Sequence, residues 1–280
     1  MSIDRFIPEI WSAVLLDALE TRLVYAQPGV VNRDYEGEIS EYGDTVRITS
    51  IGDPTVSDYE PNETSIVPEE LTDAQRTMVI DQLKYFAFKV DDVDARQARG
   101  DVMSKAMRRA AYRVAQLADL YVANLYTGVV AANDLGTVSV TSGALAYTQI
   151  RRLKLKLDEA DIPEEGRYLT GPPWFFSLLL EESKFLDASA SGSTEPLRNG
   201  RVGRVLGFEL AQSNQCPNPT GDDYVIQAGT NEAISFATQI SKTVAYQPED
   251  SFSDAVKGLN VYGAKLVRPD HIAVLTASQT

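Results

Sequence analysis

The stretch from Asn32 to about Asp92 constrains this chain more than any other. Its first part is polar, acidic and dense in turn formers, with Glu36-Gly37-Glu38, Gly43-Asp44, Gly52-Asp53-Pro54, Glu60-Pro61-Asn62 and Val67-Pro68-Glu69-Glu70 in succession. Two strand-like pieces belong to it. Thr45 to Ile51 alternates, with Val46 and Ile48 on one face, and Met78 to Val90 is rich in aromatic and β-branched residues. Together they read as one long hairpin with a polar tip. A two-stranded ribbon is marginal alone in water. This one must therefore rest on something, either its own domain or another copy of the chain, and that is a first sign of assembly.

The flanking segments are helical. Behind Pro8 and Glu9, the residues Ile10, Trp11, Val14, Leu15, Ala18, Leu19 and Leu23 form one apolar stripe that Pro28-Gly29 ends. Such a helix either packs on the chain's own core or docks on a neighbour. Ala95 to Tyr126 carries the longest helical pattern. Val102, Ala106, Ala110, Val114, Leu117, Tyr121 and Leu125 line one side, with Lys105, Arg108, Arg109, Gln116 and Asp119 mostly off it. Gly100 either kinks this helix or marks its start, with Asp101 as the cap.

The remainder is a compact mixture of helices and strands. Gly136 to Ala144 reads as a connector. A helix is expected over Tyr147–Ala160 with Ile150, Leu153 and Leu157 inward, then a strand over Arg167–Thr170 and a helix from Trp174 to about Ser183. Ala188 to Asn199 reads as a mobile loop, and Val202–Leu210 and Asp223–Gln227 as strands. Asn231–Ile240 is a strand or a short helix, and Gly258–Leu275 one or two strands returning to the core. The fold class is α+β.

Composition narrows the function. A net charge of −14 and a pI near 4.6 argue against tight, sequence-specific DNA binding, although an acidic wall facing packed DNA would repel phosphate and avoid sticking to it. The first residues lack the pattern of a secretory signal, and the densest apolar run, Trp174–Leu180, is too short to span a bilayer. Cys216 is the only cysteine and His271 the only histidine. No disulfide within the chain and no multi-histidine metal site can form, and any triad or cysteine nucleophile would have to use His271. No G-x-S-x-G elbow is present. Gly200 to Gly207 is neither a dinucleotide fingerprint nor a P-loop, and Asp91-Asp92-Val93-Asp94 reads as a solvated acidic turn. Carboxylates abound without any pair standing out. No catalytic residue, metal or cofactor is expected.

The order of parts is a short N-terminal helix, a long acidic hairpin, a long amphipathic helix, a compact α/β region and a returning C-terminal strand. This order resembles the major capsid proteins of tailed bacteriophages with the Hong Kong 97-type (HK97-like) fold, over essentially the whole chain. Local stretches resemble that family too: Phe6 to Trp11, Gly43 to Ile48, Gly200 to Phe208 followed by Ala211 to Asn214, Ala233 to Ala237, and Tyr262 to Pro269. The resemblance implies an N-arm over 1–31, an extended E-loop hairpin over 32–92, a P-domain over 93–140 and 241–280 with the long helix as its spine, and an A-domain over 141–240.

It further implies hexamers and pentamers closing into an icosahedral phage head around double-stranded DNA, assembled in the host cytoplasm with a separate scaffolding protein and a portal, and with no membrane. The residues expected at contacts between subunits are Trp11 and Leu15 of the arm, and Glu36, Glu38, Glu60 and Glu63 of the hairpin. Their expected partners are a basic patch, Arg108 and Arg109 or Arg198, Arg201 and Arg204. The founding member of the family cross-links through an E-loop lysine. Glu36 to Leu83 contains no lysine here, the first being Lys84 and Lys89, so covalent chainmail of that type is not expected. Two other readings stand beside this one: an encapsulin-type nanocompartment shell on the same fold, and a carboxylate-based hydrolase on another. The long helix argues against a mostly β tail tube.

Overall fold

The computed structural model describes residues 23–36, 43, 45–51, 73–91, 102–181, 203–248 and 253–279. The expected helix over 8–23, the start of the long helix at Gly100-Asp101, the acidic turn at 91–94 beyond Asp91 and the loop over 188–199 lie outside these residues.

Strands β1 (Thr45–Ile51) and β2 (Asp73–Val79) pair antiparallel as a two-stranded ribbon, from Thr45 opposite Val79 to Ile51 opposite Asp73. The expected single strand from Met78 to Val90 is in fact two. It breaks at Ile80-Asp81, and β3 (Gln82–Asp91) leaves the ribbon to pair with β10 (Ser253–Leu266), which pairs on its other side with β9 (Ile234–Tyr246). No proline or glycine marks the break. Two distant residues set it. Gly263 on β10 lets the backbone at Val79-Ile80 press against its bare Cα, and Asp81 accepts a hydrogen bond from Tyr121 Oη at 2.9 Å.

Helix α1 (Val102–Ala123, 22 residues) covers one face of the β3-β10-β9 sheet and runs on into a 3-10 turn over Asn124–Gly128. Its buried side consists of Met107, Ala111, Val114, Ala115, Ala118 and Val122. It meets the line expected from the sequence only in part: Val114 is buried, and Tyr121 and Leu125 pack at the margin of this core. Ala106 and Ala110 are only half-buried, Leu117 is 46% exposed, and Asp119, expected off the packed side, is 2% exposed. The helix turns its small residues to the sheet, where they allow close approach to Tyr262 and Phe236. The exposed Leu117 draws a pattern search off the packed line of such a helix.

The second sheet has six strands in the order β4-β11-β8-β5-β7-β6. They are β4 (Asp134–Ser139), β5 (Arg167–Gly171), β6 (Arg204–Val205), β7 (Phe208–Gln212), β8 (Asp223–Thr230) and β11 (Ile272–Ser278). Helices α2 (Gly143–Glu159) and α3 (Pro173–Glu181) pack on it. Ile150, Leu153 and Leu157 meet Phe175, Phe176 and Leu179 over Leu169, Ile226 and Leu275, all within 1% of complete burial.

Two expectations change in this region, and a third is resolved. Gly136–Ala144 is not a connector but most of β4 and the capped start of α2, where Ser142 Oγ accepts from Leu145 N. Val202–Leu210 is not one strand but a hairpin, β6 to β7, turning at Leu206 and Gly207 with φ of 49° and 91°. The returning C-terminal segment is split, with β10 beside α1 and β11 between β4 and β8 in the six-stranded sheet. The sheets thus cross the segment boundaries expected at 140 and 240, because ladder partners are chosen across the fold and not along the chain. Asn231–Ile240, left open between strand and helix, falls largely within β9.

Candidate functional site: surfaces for assembly

Three features are candidates for a role in assembly: the root of the ribbon, the outer side of α1, and the stretch from Leu23 to Asn32.

At the ribbon root, Val46 and Ile48 of β1 join Met78 and Ile80 in a small core with Ala237, Val261 and Val267, and Tyr35 and Leu259 pack on its margin. Gly43 N donates to Ile80 O at 3.0 Å and closes the base. The opposite side of the root is open: Thr45, Arg47, Arg76 and Thr77 are exposed, and Val79 is 46% exposed. Glu36 is tied down locally. Arg33 donates to it through Nε at 2.8 Å and Nη2 at 2.7 Å, while the same guanidinium lies 6.0 Å from the Phe236 ring centre. Glu38, Glu60 and Glu63 lie outside the described residues.

The outer side of α1 is cationic. Lys105, Arg108, Arg109 and Arg113 are all exposed, and among the described residues no ion pair engages the first three. The single acidic residue in this helix, Asp119, is turned inward, so nothing on the helix itself neutralises the patch. Leu117 and Leu120, at 46% and 37% exposure, continue the surface towards the helix C-terminus. Arg108 and Arg109 are thus brought together with two further cations. Arg204 stands apart on β6, in an exposed pair with Glu209 across the hairpin at 3.1 Å. Arg198, Arg201, Trp11 and Leu15 lie outside the described residues.

The third feature was not legible as a site. Asp119 accepts three backbone hydrogen bonds from consecutive residues, Val24 N at 2.8 Å on Oδ2, and Tyr25 N at 3.1 Å and Ala26 N at 3.0 Å on Oδ1. Burial raises its pKa from the ordinary 3.8 to about 6, against the pull of the three donors. The signal available in the sequence was an acid set among the small apolar residues Ala115, Ala118 and Val122 of one helix. Around it, Tyr25 Oη bonds Cys216 Sγ at 3.1 Å, and the Cys216 thiol donates to Ser213 O at 3.1 Å. Asn32 completes the stitching, donating through N to Ile234 O and accepting from Phe236 N.

The same contacts bear on catalysis. Burial pushes the Cys216 thiol up to about 11, which leaves little thiolate at neutral pH. His271 sits in the turn before β11, where burial lowers its pKa, and its Nδ1 lies 3.2 Å from Thr230 Oγ1. The one cysteine and the one histidine therefore have different partners. Among the described residues no cluster of three metal-ligating side chains occurs, and no helix is long and apolar enough to cross a membrane.

A family model described as phage capsid protein matches residues 75–276. The chain belongs to the phage capsid protein family. A solved structure from Mycobacterium phage Che8 shares 30% identity over 90% of each chain, with a TM-score of 0.75. The capsid structure of cyanophage P-SCSP1u shares 17% identity, covering 86% of this chain and 85% of that one at a TM-score of 0.70. A virus-like particle from Pyrococcus furiosus shares 15% identity, covering 95% and 98%, at a TM-score of 0.60. No curated protein sequence matches. This capsid protein has the HK97-like fold and is a major shell subunit of a phage; the phage family match places that reading ahead of the nanocompartment.

Proposed function

We propose that many copies of this major capsid protein close as hexamers and pentamers into an icosahedral head around double-stranded DNA. The observation that carries this is the β1–β2 ribbon, which has one covered face at its root, an open opposite side and, among the described residues, no third strand. A neighbouring subunit supplies the missing support. In this reading the ribbon is the E-loop, α1 with the β3-β10-β9 sheet forms the P-domain, and the six-stranded sheet with α2 and α3 forms the A-domain, taking in β4 and β11. The role is structural, with no catalytic step. A separate scaffolding protein, a portal and DNA held without sequence recognition complete the set of partners, and assembly takes place in the host cytoplasm.

Charge selects the docking surface. Residues 52–72 carry six carboxylates, Glu60 and Glu63 among them, and no basic residue. The cationic side of α1 in another copy is their natural counterpart, with Arg108 and Arg109 at its centre; Glu38 adds a further carboxylate, while Glu36 is already engaged by Arg33. Arg198, Arg201 and Arg204 form a second, weaker candidate, since Glu209 already engages Arg204. Trp11 and Leu15 of the arm add apolar contact. Exposed ion pairs contribute about 0.2–1 kcal/mol each, so their effect is on register and encounter rate more than on affinity. Arg108→Glu with Arg109→Glu should abolish particles seen by sedimentation and negative stain, and Glu60→Lys with Glu63→Lys should restore them. Normal particle yield from the double arginine variant would sink this docking scheme.

A further inference from the structure

We propose that Asp119 is the positioning residue that fixes where, and in which direction, the N-terminal segment leaves the body of the subunit. The inference rests on the reading above that residues 1–22 act between subunits, and it adds the device that aims them.

The geometry is specific. Three consecutive backbone N–H groups, those of Val24, Tyr25 and Ala26, converge on one carboxylate that is 2% exposed. Consecutive amides point in one direction only when the backbone is bent, and here the residues from Leu23 to Pro28 form a series of bends and a turn without helix or strand. No backbone ladder holds residues 24–26; their three donors are met by a side chain from a helix more than ninety residues away. Buried donors left without an acceptor are costly, so the segment has a strong reason to adopt this one path. Within it and just beyond, Tyr25, Ala26, Val30 and Val31 are each at most 1% exposed. This stretch is thus packed into the body, and the carboxylate holds the backbone at its start.

A carboxylate is the group the site requires. Oδ1 receives two donors and Oδ2 one, so both oxygens must accept. An asparagine can serve the Oδ1 pair through its carbonyl, but it turns an NH2 donor towards Val24 N–H. The grip on Val24 alone is then lost.

The test uses the full chain, assembled as it assembles in infected or expressing cells, with hydrogen exchange read by mass spectrometry and trypsin cleavage read after Arg22. With Asp119→Asn, exchange at Val24 should quicken about tenfold and cleavage after Arg22 should rise, while Tyr25 and Ala26 stay protected. Asp119→Ala should release all three amides and reduce closed particles to irregular or unassembled material. Unchanged exchange over 24–26, or normal particles from Asp119→Ala, would overturn the positioning role. Deletion of residues 1–22 separates the two ideas. Normal particles from the deletion would overturn the arm reading itself; failure of the deletion to assemble, with Asp119→Ala behaving as wild type, would overturn only the role of Asp119.

Discussion

Replacing Gly263 by alanine should loosen the ribbon from the body. A Cβ at this position would lie 2.6 Å from Val79 O, 2.8 Å from Ile80 Cδ1 and 3.0 Å from Ile80 Cα. Two of these three are backbone atoms, so a rotamer change cannot relieve the clash. Carbon contacts settle near 3.5 Å, and the chain at Val79-Ile80 must retreat by roughly 0.8 Å. Met78 and Ile80 are completely buried on either side of the contact. Their retreat opens the small core they share with Val46, Ile48, Val261 and Val267. Overpacking of this kind costs about 1–3 kcal/mol, and backbone displacement places this case in the upper half. Alanine recovers about 0.5 kcal/mol through the stiffer unfolded chain. The net loss is about 2 kcal/mol, or roughly 4–8 °C in the melting of unassembled subunits. Hydrogen exchange should quicken at residues 78–80 first. Gly29→Ala is the control, because nothing lies within 4 Å of the added carbon and φ is not positive there; it should stay within about 0.5 kcal/mol of wild type. A Gly263→Ala protein that melts with wild type and keeps its exchange pattern would refute the close-approach argument.

Three further outcomes are expected. Arg167, 2% exposed, donates to Asp158 Oδ1 at 2.6 Å, to Pro163 O at 2.9 Å and to Ile162 O. Arg167→Ala should cost about 3 kcal/mol in urea unfolding, and Arg167→Lys should fail to restore it because an ammonium lacks the planar fork. The Asp119 carboxyl is raised from 3.8 to about 6 in the folded chain. A raised folded pKa means that its contribution to stability is present in full below about pH 3.8 and is lost as pH rises through about 6. Wild-type stability measured against Asp119→Asn should thus fall by about 3 kcal/mol from pH 4 to pH 7, and parallel profiles would refute the assignment. Mature particles boiled in detergent should run as single chains on a gel, since no lysine lies between Glu36 and Leu83; a covalent ladder would contradict this.

What the sequence by itself determined is what neighbouring residues decide among themselves. β1 falls on Thr45–Ile51 as its alternation requires, and Ile150, Leu153 and Leu157 face inward along α2. The absence of lysine from the hairpin, and the single histidine and cysteine, are properties of composition that no fold can alter. Tertiary structure decided the rest. No proline or glycine interrupts the stretch from Met78 to Val90, so nothing local marks the end of the ribbon, and a bare Cα at Gly263 and a hydroxyl at Tyr121 separate β2 from β3 there. The packed side of α1 follows its small residues, because their worth lies in how near the β10 strand can come. Asp119 looked like a solvent-facing acid until the amides of residues 24–26 folded over it. Its inward turn is also what leaves Lys105, Arg108, Arg109 and Arg113 without an acid on their own helix. Partners of this kind lie 40 residues apart (Tyr121 and Asp81), 95 (Val24 and Asp119) or more, beyond the reach of any local periodicity, and only the closed fold brings them together.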